Sequence, residues 1–198
     1  MSLAMTLRAA LEAGHREHPE LIGSDVLEEE IEGDALAPAA VLVAVVDRPE
    51  PTVILTLRPE TMRKHPGQVS FPGGRIDPGD DGPIAAALRE AEEEIGLPPA
   101  GVDVIGLADT YRTVTGFEVT PVLGIVPPDL PLTPHPGEVA AVFEAPLHYV
   151  LDPAHQHVRS AVWRGRERTY YEINWEDRKI WGATAAMIVN LSRRLVLA

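Results

Sequence analysis

The stretch Gly73-Gly74-Arg75-Ile76-Asp77-Pro78-Gly79-Asp80-Asp81-Gly82-Pro83-Ile84-Ala85-Ala86-Ala87-Leu88-Arg89-Glu90-Ala91-Glu92-Glu93-Glu94-Ile95-Gly96-Leu97 decides how the rest of the chain is read. Asp80 or Asp81 suits an N-cap and Pro83 the first turn. Ile84 to Ile95 is rich in strong helix formers, and Gly96 stands where a left-handed C′ residue ends a helix. The spacing therefore predicts a helix from near Asp81 to Gly96. Just upstream, Gln68 to Phe71 predicts a short strand, and Pro72-Gly73-Gly74 a turn in which backbone can approach a ligand closely.

On that helix Glu90, Glu93 and Glu94 lie three and four positions apart, so their carboxylates share one face, while Glu92 points elsewhere. Carboxylates this close repel one another unless something positive lies among them, and hard oxygen ligands suit Mg²⁺, with Mn²⁺ as the alternative ion. A run of glutamates is ordinarily a solvated helix face. Here it follows a Gly-Gly turn, is preceded by Arg89, and ends in Ile95-Gly96-Leu97.

Outward from this element, Leu3 to Arg16 shows helical spacing that Pro19 stops, and an acidic stretch runs from Asp25 to Asp34. Ala39 to Val46 and Thr52 to Leu57 predict a hairpin across Asp47-Arg48-Pro49-Glu50-Pro51. Val102 to Tyr111, Phe117 to Val126 and Glu138 to Ala145 predict strands, and Pro146 to Leu151 a helical turn. His157 to Trp163 and Arg168 to Trp175 predict a hairpin across Gly165, and Trp181 to Leu197 a last helix. Helices around a mixed sheet, an α/β class, fit this order.

With 198 residues, 45% of them hydrophobic, the chain suits one well-buried domain. A formal net charge of −13, with no basic stripe in the sequence, argues against a grip on nucleic-acid phosphates, yet leaves room for a phosphorylated small molecule, because a bound cation reverses the local field. With no cysteine, disulfides, thiolate metal sites and cysteine nucleophiles are excluded. Residues 1 to 14 lack the apolar core of a signal peptide, and no run approaches the roughly 18 apolar residues of a membrane span. The expectation is a cytoplasmic protein with no membrane partner.

Gly74 through Leu97 resembles the signature of the Nudix hydrolases, and Arg89 to Leu97 fits its tail in register. The interval from Gly74 to Arg89 is one residue longer than the general pattern, leaving Asp81, or else Asp80, at the place of the first signature glutamate. Upstream, Leu57-Arg58 and Arg63-Lys64-His65-Pro66-Gly67-Gln68-Val69-Ser70-Phe71-Pro72-Gly73-Gly74 resemble the added motif of the coenzyme A pyrophosphatase branch, whose members commonly share the longer interval. Thr113 to Pro121 and Ile180-Trp181-Gly182 are similar to that branch too.

The resemblance implies a single Nudix domain over 1–198, an α/β/α sandwich with a mixed sheet, in which 1–34 is a helix and acidic lead-in and 35–198 the core. It implies Glu90 and Glu94 as metal ligands, Glu93 as a further ligand or the base that activates water, and the Gly74 carbonyl as an additional ligand. Arg89 would orient a glutamate by a salt bridge. Glu138, after Pro136-Gly137, stands where several members carry a loop carboxylate used as ligand or base; an exposed strand-edge glutamate is the alternative. The implied reaction is Mg²⁺-dependent hydrolysis of the diphosphate in coenzyme A and its thioesters to 3′,5′-ADP and 4′-phosphopantetheine or its acyl form. The alternatives are a Nudix hydrolase of ADP-ribose, NADH or another nucleoside diphosphate derivative, and a nucleotide-binding module without turnover.

Arg58, Arg63, Lys64 and His65 gather positive charge ahead of Gly73 and Gly74, and together these are candidate contacts for the substrate's phosphates. His135, His155 and His157 show no metal-ligand spacing and read as surface or packing residues. Ser70 and Ser160 have no base in sequence context, so a serine nucleophile has no support. Trp163, Trp175 and Trp181 could stack on an adenine, but filling a core is the preferred reading.

Overall fold

A computed structural model describes residues 2–24, 36–61, 66–163 and 165–195. In chain order these form α1 (Leu3–Glu17), β1 (Ala37–Val46), β2 (Thr52–Leu57), β3 (Val69–Ser70), β4 (Gly73–Arg75), α2 (Gly82–Ile95), β5 (Asp103–Leu107), β6 (Tyr111–Arg112) and β7 (Phe117–Val126). There follow β8 (Ala141–Pro146), α3 (Leu147–Leu151), β9 (His157–Trp163), β10 (Arg166–Trp175), β11 (Arg178–Trp181) and α4 (Ala183–Arg194). Among the described residues no helix is long and apolar enough to cross a membrane.

The first eight strands make one mixed sheet, and β9 to β11 a second, antiparallel one. At the centre β7 runs parallel to β1 from Ala37 opposite Phe117 to Val46 opposite Val126. Strands buried on both faces read as continuous apolar runs, and β1 divides its side chains with period two. Ala40, Leu42, Ala44 and Val46 join Ala86, Ala87, Ala91 and Ile95 of α2 in one core. Val43 and Val45 join Leu7 and Leu11 of α1 and Ala185, Ile188 and Leu191 of α4 in the other. Full burial of a side chain the size of Ile95 contributes roughly 1.5–3 kcal/mol. The result is the expected α/β/α sandwich with a mixed sheet.

One irregularity positions the site. β1 and β2 pair only at Val45 with Val53 and Val46 with Thr52, and then part. The segment 69–75 fills the gap: Val69 and Ser70 pair with β2, Gly73 to Arg75 pair with β1, and the Leu42 amide donates to the Pro72 carbonyl at 2.8 Å. Gly73-Gly74 is therefore short strand rather than the turn expected from the sequence. The reason is tertiary, since β1 offers an open edge there and only a residue without Cβ fits it. A Cβ on Gly73, whose φ is +154°, would run into the Ala40 carbonyl and sit 2.6 Å from Val41 Cα.

Other expectations need correction. The strand expected over Val102 to Tyr111 breaks into β5 and β6, because Pro121 on β7 accepts from the Ala108 amide at 2.9 Å but has no N–H to return. The strand expected from Glu138 begins only at Ala141; the Glu138 and Val139 amides both donate to the His135 carbonyl, which keeps this stretch in a turn. Trp181 ends β11 instead of starting the last helix, and Gly182 at φ 63° separates the two. The acidic stretch and Arg63, Lys64 and His65 lie outside the described residues.

Candidate active site

Both ends of α2 are set by local chemistry. Pro83 occupies its first turn; at the far end Gly96, at φ 68°, closes an αL motif in which the Gly96 amide donates to Glu92 O at 2.9 Å, and the Leu97 amide reaches back to Ala91 O at 3.3 Å. Asp81 holds the N-cap position but makes no side-chain capping bond. Asp80 turns instead to Arg89, accepting from Nε and Nη2 at 3.0 Å each, and accepts the Asp77 amide at 2.8 Å. Of the two aspartates open at the first signature glutamate, Asp80 is the one that engages the helix.

Arg89 is the hub of this end of the site. Nη1 donates to Glu90 Oε1 at 2.9 Å and to Glu93 Oε2 at 3.0 Å, and Nη2 donates to the Arg75 carbonyl at 3.0 Å. The hydrogen bonds from Arg89 and from the Asp77 amide hold the Asp80 carboxyl below its ordinary range, and the carboxylates around Arg89, Asp80 first, raise its own pKa. Glu93 stays on the solvent side, its side chain 58% exposed.

Glu94 points inward and is 5% exposed, with the Gly73 amide donating to its Oε2 at 3.1 Å. Burial pushes its carboxyl up to about 7; the Gly73 amide and Arg58 pull against that, while Glu90 and Glu138 push with it. Burial also raises Glu90, opposed by Arg89 and reinforced by Glu93 and Glu138. Glu90 lies over Gly74 so closely that a Cβ there would sit 2.5 Å from its Cδ. Gly73 and Gly74 thus serve the site by what they lack.

Two more charges reach this centre from outside α2. The loop after β7 is pinned to the end of α2, the His135 amide donating to Glu94 O and the Thr133 amide to Ile95 O, both at 2.8 Å. It carries exposed Glu138 to where its charge acts on both Glu90 and Glu94. From the end of β2, Arg58 acts on Glu94 with the opposite sign, and its Nε is buried with no hydrogen-bond partner among the described residues.

The donors are all oxygen, one of them a buried carboxylate whose proton is held to about 7. A divalent cation can take the place of that proton and relieve the repulsion, so these residues fit Mg²⁺ or Mn²⁺. Among the described residues no three histidine, aspartate or glutamate side chains converge into a ready metal cage.

The NUDIX domain model matches residues 36–179. The chain belongs to the Nudix hydrolase family. Nudix hydrolase NudL of Cronobacter sakazakii, described as uncharacterized, is 50% identical over 157 residues, which cover 79% of this chain and 82% of that protein. NudL of Escherichia coli K12 is 46% identical over 157 residues with the same coverage. The solved Nudix hydrolase RenU from M. smegmatis matches with a TM-score of 0.50 at 24% identity over 58% of this chain and 73% of its own, a likeness of fold.

Within this Nudix fold, sequence spacing did not single out the bond from Gly73 to Glu94 or the choice of Asp80. The first joins residues that approach only because segment 69–75 is wedged against β1 beside α2; the second is a choice between neighbouring loop carboxylates that only the folded loop makes. Trp175 packs against the core as expected, whereas Trp181 remains 41% exposed.

Proposed function

We propose that this Nudix hydrolase cleaves the diphosphate of coenzyme A and its thioesters with Mg²⁺, releasing 3′,5′-ADP and 4′-phosphopantetheine or its acyl form. The observation that carries the diphosphate chemistry is the buried Glu94 beside Glu90 and the Gly73-Gly74 backbone, with Arg58 close behind. Support for coenzyme A comes from the motif between Leu57 and Gly74 that resembles the coenzyme A pyrophosphatase branch. Its residues lead along β3 and β4 into this site.

A bound Mg²⁺ neutralises phosphate charge and makes a water acidic enough to attack near neutral pH. Glu90 and Glu94, with the Gly74 carbonyl, would hold it. Arg89 keeps Glu90 and Glu93 in place through hydrogen bonds at 2.9 and 3.0 Å. The attacking water passes its proton to a carboxylate, for which we favour Glu138: its charge reaches both Glu90 and Glu94, while Glu93 Oε2 is already engaged by Arg89. The Arg58 guanidinium, with a buried Nε, suits a phosphate oxygen. Arg63 and Lys64 belong to the same reading as phosphate contacts. The enzyme is taken as cytoplasmic, with a small molecule rather than nucleic acid as its partner.

The test is coenzyme A turnover with excess Mg²⁺, products resolved by chromatography, for the wild type, for Glu94→Gln and for the wild type with chelator. Cleavage by the wild type and loss in both controls is expected. Cleavage of ADP-ribose or NADH with coenzyme A untouched would remove the substrate and leave the diphosphate chemistry standing. No cleavage of any of the three would favour a nucleotide-binding module.

A further inference from the structure

A second group of charged and aromatic side chains gathers away from α2, on the sheet of β9, β10 and β11. Regular antiparallel register sets Tyr170 opposite Arg159, Glu172 opposite Trp181 and Asn174 opposite Lys179. Strand alternation places these six on one face, while Ile173 and Ile180 enter the core from the other. Glu172, 6% exposed, is met by Asn174 at 3.1 Å, Lys179 at 3.3 Å and Arg159 at 3.5 Å.

One carboxylate does not neutralise two cations, so this face keeps positive charge in a chain whose formal net charge is −13. The side chains of Arg159 and Lys179 stay 50% and 60% exposed. Beside them Trp181 meets Tyr170 edge to face, with ring centroids 5.9 Å apart. An open indole next to a guanidinium and an ammonium offers a flat π surface together with charge-assisted donors, which is the complement of a phosphorylated aromatic ring.

The face also stands beside the catalytic segment. β11 lies against β3, and Thr184, at the start of α4, donates from Oγ1 to the Val69 carbonyl at 3.1 Å. From Val69 to Gly73 is roughly 13 Å of extended chain.

We propose that this face binds the phosphorylated purine nucleoside end of the substrate. Trp181 stacks on the base, and Arg159 and Lys179 pair with a phosphate monoester outside the diphosphate that is cleaved. The inference rests on the coenzyme A reading, because coenzyme A carries such a monoester and ADP-ribose and NADH do not. Arg159 and Lys179 then determine specificity rather than catalysis.

The test titrates the full chain, with chelator present, with adenosine 3′,5′-bisphosphate and with adenosine 5′-monophosphate by calorimetry. The bisphosphate should bind about tenfold more tightly. Trp181→Ala should weaken both ligands by about tenfold, and Lys179→Ala should bring the bisphosphate down toward the monophosphate. Lys179→Met, which keeps the aliphatic stem and leaves Glu172 paired with Arg159, serves if the alanine variant unfolds. Equal affinity for the two nucleotides, unchanged binding in Trp181→Ala, or self-association through this face in place of nucleotide binding would overturn the proposal. Wild-type turnover separates the two readings. Cleavage of coenzyme A with a KM that neither variant alters removes this subsite and leaves the substrate. No cleavage, with selective bisphosphate binding retained, removes the substrate and leaves the subsite.

Discussion

Asp80 and Arg89 meet through two parallel hydrogen bonds of 3.0 Å, and the same guanidinium reaches Glu90 and Glu93. A loop carboxylate thereby sets the direction of two helical ones through a planar fork that lysine could not reproduce. Asp80→Asn should lower turnover by about tenfold or more, in the manner of a lost outer partner of a metal ligand. Asp81→Asn, with no capping bond to lose, should stay within about twofold. Steady-state kinetics of the pair would reassign the role to Asp81 if the order were reversed.

Glu94 makes the metal-free protein sensitive to pH. Its folded pKa of about 7 lies above the ordinary carboxylate value of 4.5, so the folded state keeps a proton that the unfolded chain has released. The stabilisation is fully present below the unfolded value and is lost as pH rises through the folded one. Thermal melts in chelator should therefore show Tm falling between pH 5 and 8. Glu94→Gln should flatten that slope and raise Tm at pH 8, and saturating Mg²⁺ should raise the wild-type Tm most at the alkaline end. A chelated wild type whose Tm climbs over this range would contradict the assignment.

Gly73 and Gly74 should fail differently when given a Cβ. At Gly74 the atom met is the Glu90 carboxyl, the far end of a flexible side chain, so Gly74→Ala should fold with Tm nearly unchanged and lose turnover by about tenfold or more. At Gly73 the obstacles are the Ala40 carbonyl and Val41 Cα, both backbone, so Gly73→Ala should cost roughly 1–3 kcal/mol of stability. Circular dichroism melts beside turnover distinguish them; equal Tm values for the two variants would count against this account.

Arg194, 6% exposed, takes both oxygens of Asp109 at 2.5 and 2.6 Å and donates to the Gly14 carbonyl, tying α4 to α1 and to the link between β5 and β6. Arg194→Met strands a carboxylate and a carbonyl. The cost should be about 3 kcal/mol, which for a chain of this size lowers Tm by roughly 6–12 °C. Turnover at 25 °C should persist. A shift below about 2 °C would show that water replaces the arginine at little cost.

Helix α2 was legible from residues that touch one another within a few positions: Pro83 in the first turn, alanines on one face, Gly96 at the end. The paired faces of β1 and β7 were less so, because a strand buried on both sides shows no alternation, and its neighbour in the sheet is 80 residues away in sequence. Glu138 looked like a strand residue because Val139 to Phe143 is apolar. The turn that exposes it depends on His135 being held by the last carbonyls of α2. Trp181 read as core by composition, yet its strand presents it to solvent beside Tyr170.

By itself the sequence determined the acidic helix, both of its boundaries, the membership of the α/β class and the family signature, since capping, helical periodicity and motif spacing are all short-range properties. Only the tertiary structure decided that Asp80 and not Asp81 grips Arg89, that Glu94 is buried against the Gly73 amide while Glu93 faces water, and that Arg58 and Glu138 reach the same centre. The burial of Glu94 against the Gly73 amide follows from β1 and β2 parting after two residue pairs, so that segment 69–75 enters the sheet beside α2, whereas Glu138 arrives on the loop whose His135 amide is held by the Glu94 carbonyl. The pairing of Gly73 to Arg75 with β1 joins residues 32 to 36 positions apart, where local spacing carries no information.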